Sequence, residues 1–193
     1  MFLVSTSCFR GYGLHKTLSL IAASAYDGAD LVLSSGDFDT ENTEYLAELV
    51  KITKCPIHSI TTYERRMDLA KLMTIIEMAK TLGVSLINIF PPHRLDKDGS
   101  WFSEALPRVK KENPNIQFAV MNVEPKTFLF FIPEYKDATL TSIKKITGET
   151  ALCVSHVNPE SGVDLIKTFS ILGNSIVNVL LSDKTGVRSD LLP

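Results

Sequence analysis

The sequence predicts an α/β fold, an incomplete (β/α) TIM-type barrel of about seven parallel strands alternating with helices. Three observations lead there. Short apolar runs alternate with segments of helical periodicity along the whole chain. Each strand-plus-helix unit takes roughly 25 to 30 residues, the length of a βα repeat, whose crossovers are right-handed and whose sheet is parallel. An open doubly wound sheet and a barrel both fit that rhythm. No Gly-x-Gly-x-x-Gly follows the first strand, and Gly11 and Gly13 alone are too little for a dinucleotide-binding turn, which favours the barrel.

Taken in order, residues 2–7 read as a strand, and Gly11 and Gly13 mark the turn after it. Residues 14–25 are a helix with Leu14, Leu18, Ile21 and Ala25 on one face. Residues 29–33 are a second apolar run, with Asp30 inside it. Thr40 is the expected N-cap of a helix over 41–53. A third strand covers 56–62, and the longest helix covers 65–82 and stops at Gly83. Residues 84–90 form a fourth strand closed by Pro91-Pro92, then a polar loop leads to a helix over 101–111. The fifth strand ends at Glu124-Pro125, where proline removes a ladder donor. Phe128 to Phe131 are expected to pack, with an extra strand turn or a pocket wall as the alternatives. A helix over 138–146, a strand over 150–157, a helix over 163–172 and a strand over 176–181 complete the pattern.

At 193 residues the chain suits one domain, 1–193, with a real core. A net charge of −2 gives no general attraction to nucleic acid or to a membrane surface. Cys8, Cys55 and Cys153 have no Cys-x-x-Cys spacing, so reduced thiols and a cytoplasmic location are expected. No apolar run approaches the ~20 residues of a membrane span, and no signal peptide is evident.

In a parallel α/β fold ligands bind at the carboxyl ends of the strands. The polar residues expected there are His58, Asn88, His93, Glu124, Ser155, His156, Asp183 and Lys184. Imidazoles and carboxylates in one cup suit a divalent metal, which polarises a carbonyl or holds an enediolate. Each has a structural alternative. His58 stands between apolar residues as a satisfied core or rim histidine. His156 is equally a loop histidine bonded to backbone. Asp183 and Lys184 are equally a surface pair, Cys153 a buried inert thiol, and His15 and His93 solvated.

The order of these segments resembles the xylose isomerase-like TIM barrels, which include sugar-phosphate isomerases and epimerases and the apurinic endonucleases. The likeness runs over nearly the whole chain. It rests on Glu64-Arg65-Arg66 through Leu82-Gly83 with Ile87-Asn88-Ile89, on Val123-Glu124-Pro125, on Cys153-Val154-Ser155-His156, on Ile176 to Asp183, and on Ser189 to Pro193. It implies a sugar or sugar-phosphate isomerase/epimerase working by proton transfer next to a carbonyl. Glu124 and His156 would be metal ligands, and Glu124 and His58 catalytic groups. His58, Asn88, Asp183 and Lys184 would contact substrate, and Mn, Co, Mg or Zn would be the metal. Cys153 stands where the family has Asp, Leu180 where it has His, and Phe90 where it often has His. The chain stops before the family's last strand, so the final βα unit is missing from this pattern. Two or three remaining ligands hold a divalent metal weakly. The alternatives are a non-catalytic carbohydrate-binding or regulatory barrel and an apurinic endonuclease. The endonuclease is disfavoured by the missing ligands and the charge. The open seam of an unclosed barrel implies a homodimer that covers it.

Overall fold

The computed structural model describes residues 1–9, 11–157, 164–182, 184–185 and 188–189. Seven parallel strands form its sheet: β1 (Leu3–Ser5), β2 (Gly28–Val32), β3 (Ile57–Thr61), β4 (Leu86–Ile89), β5 (Gln117–Met121), β8 (Thr150–Cys153) and β9 (Ile176–Leu180). Two short hairpins lie outside it, β6 (Thr127–Phe128) with β7 (Ile132–Pro133), and β10 (Lys184–Thr185) with β11 (Arg188–Ser189). Helices α1 (Leu14–Ala22), α2 (Phe38–Glu41), α3 (Thr43–Thr53), α4 (Leu69–Leu82), α5 (Ser100–Glu104), α6 (Leu106–Glu112), α7 (Leu140–Thr147) and α8 (Leu165–Leu172) fill the crossovers.

The strands stand side by side in chain order, so no reversal of order exists and the sheet is singly wound. Its curl follows from one hydrogen bond. Asn178 Nδ2 on β9 donates to Asn88 Oδ1 on β4 at 3.0 Å, although β5 and β8 lie between those strands. Three steps of a flat sheet span about 14 Å. Only a curved sheet lets these side chains meet across its hollow face. The result is a curled half-barrel.

The two faces divide the apolar residues. Phe118, Val120, Leu31, Ile60, Ile87 and Ile89 point outward and join the helices in the main core. Ala119, Met121, Ala151 and Cys153 make a smaller cluster with Leu86, Phe90, Val177 and Leu180. In β5 the members of the two clusters alternate, as a strand period of two requires. The inner face also holds a buried polar chain. Asp30 accepts from Ser59 Oγ at 2.6 Å and from Thr61 Oγ1 at 3.0 Å, and Asn88 Nδ2 donates to Thr61 Oγ1 at 3.1 Å.

Several boundaries differ from expectation for local reasons. Asn42, not Thr40, caps α3, its side chain accepting from Tyr45 N at 2.9 Å. Thr40 is buried and its hydroxyl holds Ser34 and Asp37. Helix α4 starts four residues late. Arg66 has φ 57°, which no right-handed helix contains, and Asp68 caps the helix by accepting from Lys71 N. Phe128 ends β6 half-buried, but Leu129, Phe130 and Phe131 do not pack: they form the β6–β7 turn, Leu129 and Phe130 take positive φ, and Phe130 is 99% exposed. His93 is buried rather than solvated. His15 is exposed as expected.

Gly28 shows how tightly the sheet closes on itself. Residue 29 pairs with 57 but residue 30 pairs with 59, so His58 is the extra residue of a bulge. A Cβ on Gly28 would lie 2.4 Å from the Pro56 carbonyl oxygen and 2.8 Å from His58 Cδ2. Gly28→Ala is expected to destabilise the fold by about 1–3 kcal/mol in urea unfolding. An unchanged midpoint would show that the bulge yields freely.

Candidate functional site

A cavity of about 290 Å³ opens at the carboxyl ends of β3, β4, β5 and β8. Its walls are Glu64, Arg65, Phe90, Val123, Glu124, Lys126, Glu134, Tyr135 and His156. These come from four strand-end loops and from the β6–β7 hairpin, whose return delivers Glu134 and Tyr135. Glu124 sits three residues beyond β5, where Asn122 leaves the sheet with its side chain locked to the next strand. Asn122 Oδ1 accepts from Cys153 N at 2.6 Å, and its Nδ2 donates to the Cys153 carbonyl at 3.0 Å. The Asn122 main-chain oxygen meets His156 Nδ1 at 2.9 Å. A carbonyl only accepts, so Nδ1 carries the proton. One asparagine thus orients both the β5 end and the imidazole.

Glu124 Oε2 and Lys126 Nζ are 2.9 Å apart. The hydrogen bond to Glu124 raises the lysine's pKa above the ordinary range; the charges of Glu124, Glu134 and Glu64 add to it, and partial burial opposes it. An exposed ion pair of this kind adds little stability. It fixes an ammonium among three carboxylates. Glu134 accepts from Arg65 Nη2 at 2.8 Å and from His93 Nε2 at 3.1 Å. Leu95 N donates to His93 Nδ1, so the His93 proton sits on Nε2 and points at Glu134. Tyr135 donates to Glu64 at 2.7 Å. Burial, that bond and the charges of Glu64 and Glu134 push the phenol pKa up, which keeps it a donor.

Behind His156 lies Cys153, whose Sγ is 3.2 Å from Ser155 Oγ. Burial opposes ionisation of the thiol, but the His156 hydrogen bond and charge, together with Ser155, outweigh it and hold the pKa below the usual thiol range. Burial likewise opposes charging of His156, and Cys153, the Asn122 carbonyl and Glu124 outweigh it, so the imidazole is raised. Cys153 is buried as the sequence suggested, but it is coupled to the cavity wall.

Of the sequence candidates, Glu124 and His156 meet at this cavity. His58 does not join them. It stands in the β3 bulge against Gly28, where β2 begins, at the other end of the sheet. Asn88 is wholly buried in the polar chain of the inner face. Lys184 begins the β10–β11 hairpin, and Asp183 lies outside the described residues. Sequence reasoning missed Lys126, Glu134 and Tyr135.

These residues do not fit a resident divalent metal. Among the described residues no three His, Cys, Asp or Glu side chains are grouped to hold one. Glu124 is already paired with an ammonium, and His156 commits Nδ1 to a carbonyl. The same residues set a carboxylate, an ammonium, a phenol and an imidazole around one polar cavity. No helix among the described residues is long and apolar enough to cross a membrane.

No protein-family profile matches the chain, and no curated protein matches it. Solved structures do. A xylose isomerase-like TIM barrel/4-hydroxyphenylpyruvate dioxygenase fusion protein superposes with TM-score 0.64 at 13% identity, over 93% of this chain and 31% of that one. A xylose isomerase domain protein from Planctomyces limnophilus gives 0.62 at 10% identity, over 94% and 71%. A protein from Sinorhizobium meliloti gives 0.58 at 10% identity, over 95% and 74%. The chain therefore spans under a third of the first of these and nearly three quarters of the other two. Identities this low speak for the fold alone: the chain has the fold of the xylose isomerase-like TIM barrels, in a seven-stranded, unclosed form.

Proposed function

We propose that the cavity around Glu124 binds a small sugar or sugar phosphate and moves a proton on the carbon next to its carbonyl. The observation that carries this reading is the convergence of Glu124, Lys126, Tyr135 and His156, drawn from separate strand ends, on one polar cavity. Glu124 takes the proton. Lys126, held protonated, faces the negative charge that develops on the carbonyl oxygen. Tyr135 and Glu64 offer a fixed donor and acceptor to substrate hydroxyls. His156 closes the far wall, with Nδ1 anchored and the rest of the ring toward the ligand. Because the donors do not suit a metal, no step is assigned to one.

The test is a panel of aldoses, ketoses and their phosphates incubated in D₂O with a chelator present. Deuterium is expected at the carbon next to the carbonyl of at least one of them. Saturable binding without deuterium uptake would favour the second reading, a carbohydrate-binding barrel that has lost turnover. The abasic-site nuclease reading needs a cluster of metal donors that the described residues do not supply.

The partner we propose is a second copy. Strand β9 is an edge in this sheet, Val179 and Leu181 at its end are exposed, and α8 exposes Ile166 and Phe169. Sedimentation is expected to show a dimer that Phe169→Asp converts to monomer. A wild-type monomer at high concentration would dismiss it.

A further inference from the structure

The tip of the β6–β7 hairpin is apolar and faces solvent. Leu129 is 66% exposed and Phe131 77%, and Phe130 is the most exposed large apolar side chain among the described residues. The turn itself does not call for them. Leu129 and Phe130 both hold the left-handed conformation, at φ 49° and 67°, which glycine or asparagine adopts at lower cost. Bulky residues persist there only where the surroundings hold them. The stem supplies that hold. Glu134 N donates to the Lys126 carbonyl at 2.9 Å, Arg94 N to the Glu134 carbonyl at 2.8 Å, and Arg94 Nε to the Pro133 carbonyl at 2.9 Å. A tied stem thus projects Leu129, Phe130 and Phe131 away from the core.

Area and charge choose among partners. The tip exposes on the order of 500 Å² of apolar surface, more than scattered surface residues do and less than the about 800 Å² that each side of a stable protein pair buries. As the end of a two-stranded hairpin it projects, and it offers no groove to a peptide. Charges near it are mixed: Arg94 and Lys97 are exposed, and so are Asp98 and Asp137. Balanced charge gives no pull on nucleic acid or on a strongly charged protein. A phospholipid surface needs neither a large area nor a net charge. A few aromatic side chains seat at the boundary between headgroups and acyl chains, and an adjoining arginine reaches the lipid phosphates.

We propose that this hairpin tip docks the protein on a phospholipid surface. Phe130 and Phe131 seat at the boundary of headgroups and acyl chains, Leu129 lies beside them, and Arg94 stands at headgroup depth. Lys126 and Glu134 line the cavity around Glu124 and stand three residues from the tip on its two strands, about 10 Å away, so docking holds the cavity mouth near the lipid. The docking does not depend on the sugar chemistry proposed for that cavity.

The test is sedimentation with vesicles of phosphatidylcholine, alone and mixed with phosphatidylserine. Wild type is expected to sediment with both, its affinities agreeing within about threefold because insertion rather than net charge drives the contact. Phe130→Ser and Phe131→Ser are each expected to weaken the partition at least about fivefold. Both change exposed side chains, so their urea midpoints are expected to match wild type. Depth is read from Phe130→Trp. The emission it adds to that of buried Trp101 is expected to shift to the blue on vesicles and to be quenched by brominated acyl chains. No sedimentation of wild type, sedimentation unchanged in both serine variants, or binding confined to phosphatidylserine vesicles would each overturn the proposal. A dimer formed without vesicles that both serine variants dissolve would overturn it as well and would give the tip to a second copy. Deuterium uptake by sugars bears on the cavity only, so the two readings fail separately.

Discussion

Glu124→Gln is expected to lower deuterium uptake by a sugar substrate about 10²–10⁴-fold while leaving the unfolding midpoint within about 0.5 kcal/mol. The amide keeps the shape and still faces Lys126, but it cannot accept a proton from carbon. Lys126→Met is expected to cost about 10²–10³-fold in the same measurement, the scale of losing one preorganised charge at a developing oxyanion. The stability arm separates chemistry from folding. The Glu124–Lys126 pair is exposed on the lysine side, so its loss barely moves the fold. Full exchange in Glu124→Gln would remove that residue from the chemistry.

The largest effect on stability is expected at Asp30. Its carboxylate is buried and is the shared acceptor of Ser59 and Thr61, with Asn88 near it at 3.4 Å. Asp30→Ala strands those donors and leaves a hole, at about 3 kcal/mol. The pH behaviour gives a sharper signature. Burial raises the Asp30 pKa, and hydrogen bonds from Ser59, Thr61, Ser5 and Asn88 only partly offset it. A folded value above the unfolded one, about 3.9, means the acid contributes fully below about 3.9. That contribution is lost as pH rises through the folded pKa, because a buried charge replaces a buried neutral acid. Asp30→Asn keeps the shape and does not titrate. The stability of wild type minus that of Asp30→Asn, from urea unfolding at a series of pH values, is therefore expected to fall across this window and then level off. A difference that stays flat from acid to neutral pH would contradict the assignment.

The periodicity of the sequence carried the fold well because each strand is apolar on the helix side and each helix has one apolar face. Leu31, Ile60, Ile87, Phe118 and Val120 all occupy the layer their alternation demands. Helix starts were less legible. Arg65 to Asp68 have helical composition, and only the left-handed Arg66 and the Asp68 cap exclude them from α4. The candidate site divided the same way. Glu124 and His156 were visible because they follow apolar runs. Lys126, Glu134 and Tyr135 were not, because they depend on a hairpin of two-residue strands with no periodic signal. His58 misled for a physical reason: it is the second residue of β3, at the amino end of the strand, while the cavity opens beyond the carboxyl end. His93 misled because its partner, Glu134, lies 41 residues away.

Glu124, Lys126, Tyr135 and His156 converge from the strand ends on one cavity, which we propose to be a sugar-binding mouth. The most direct test of that proposal is a crystal of the protein soaked in xylitol and in the best exchanging sugar. Ligand density is expected to touch Glu124 and Lys126, with His156 and Tyr135 on either side. Density elsewhere, such as beside His58 and Gly28 at the opposite end of the sheet, would contradict it.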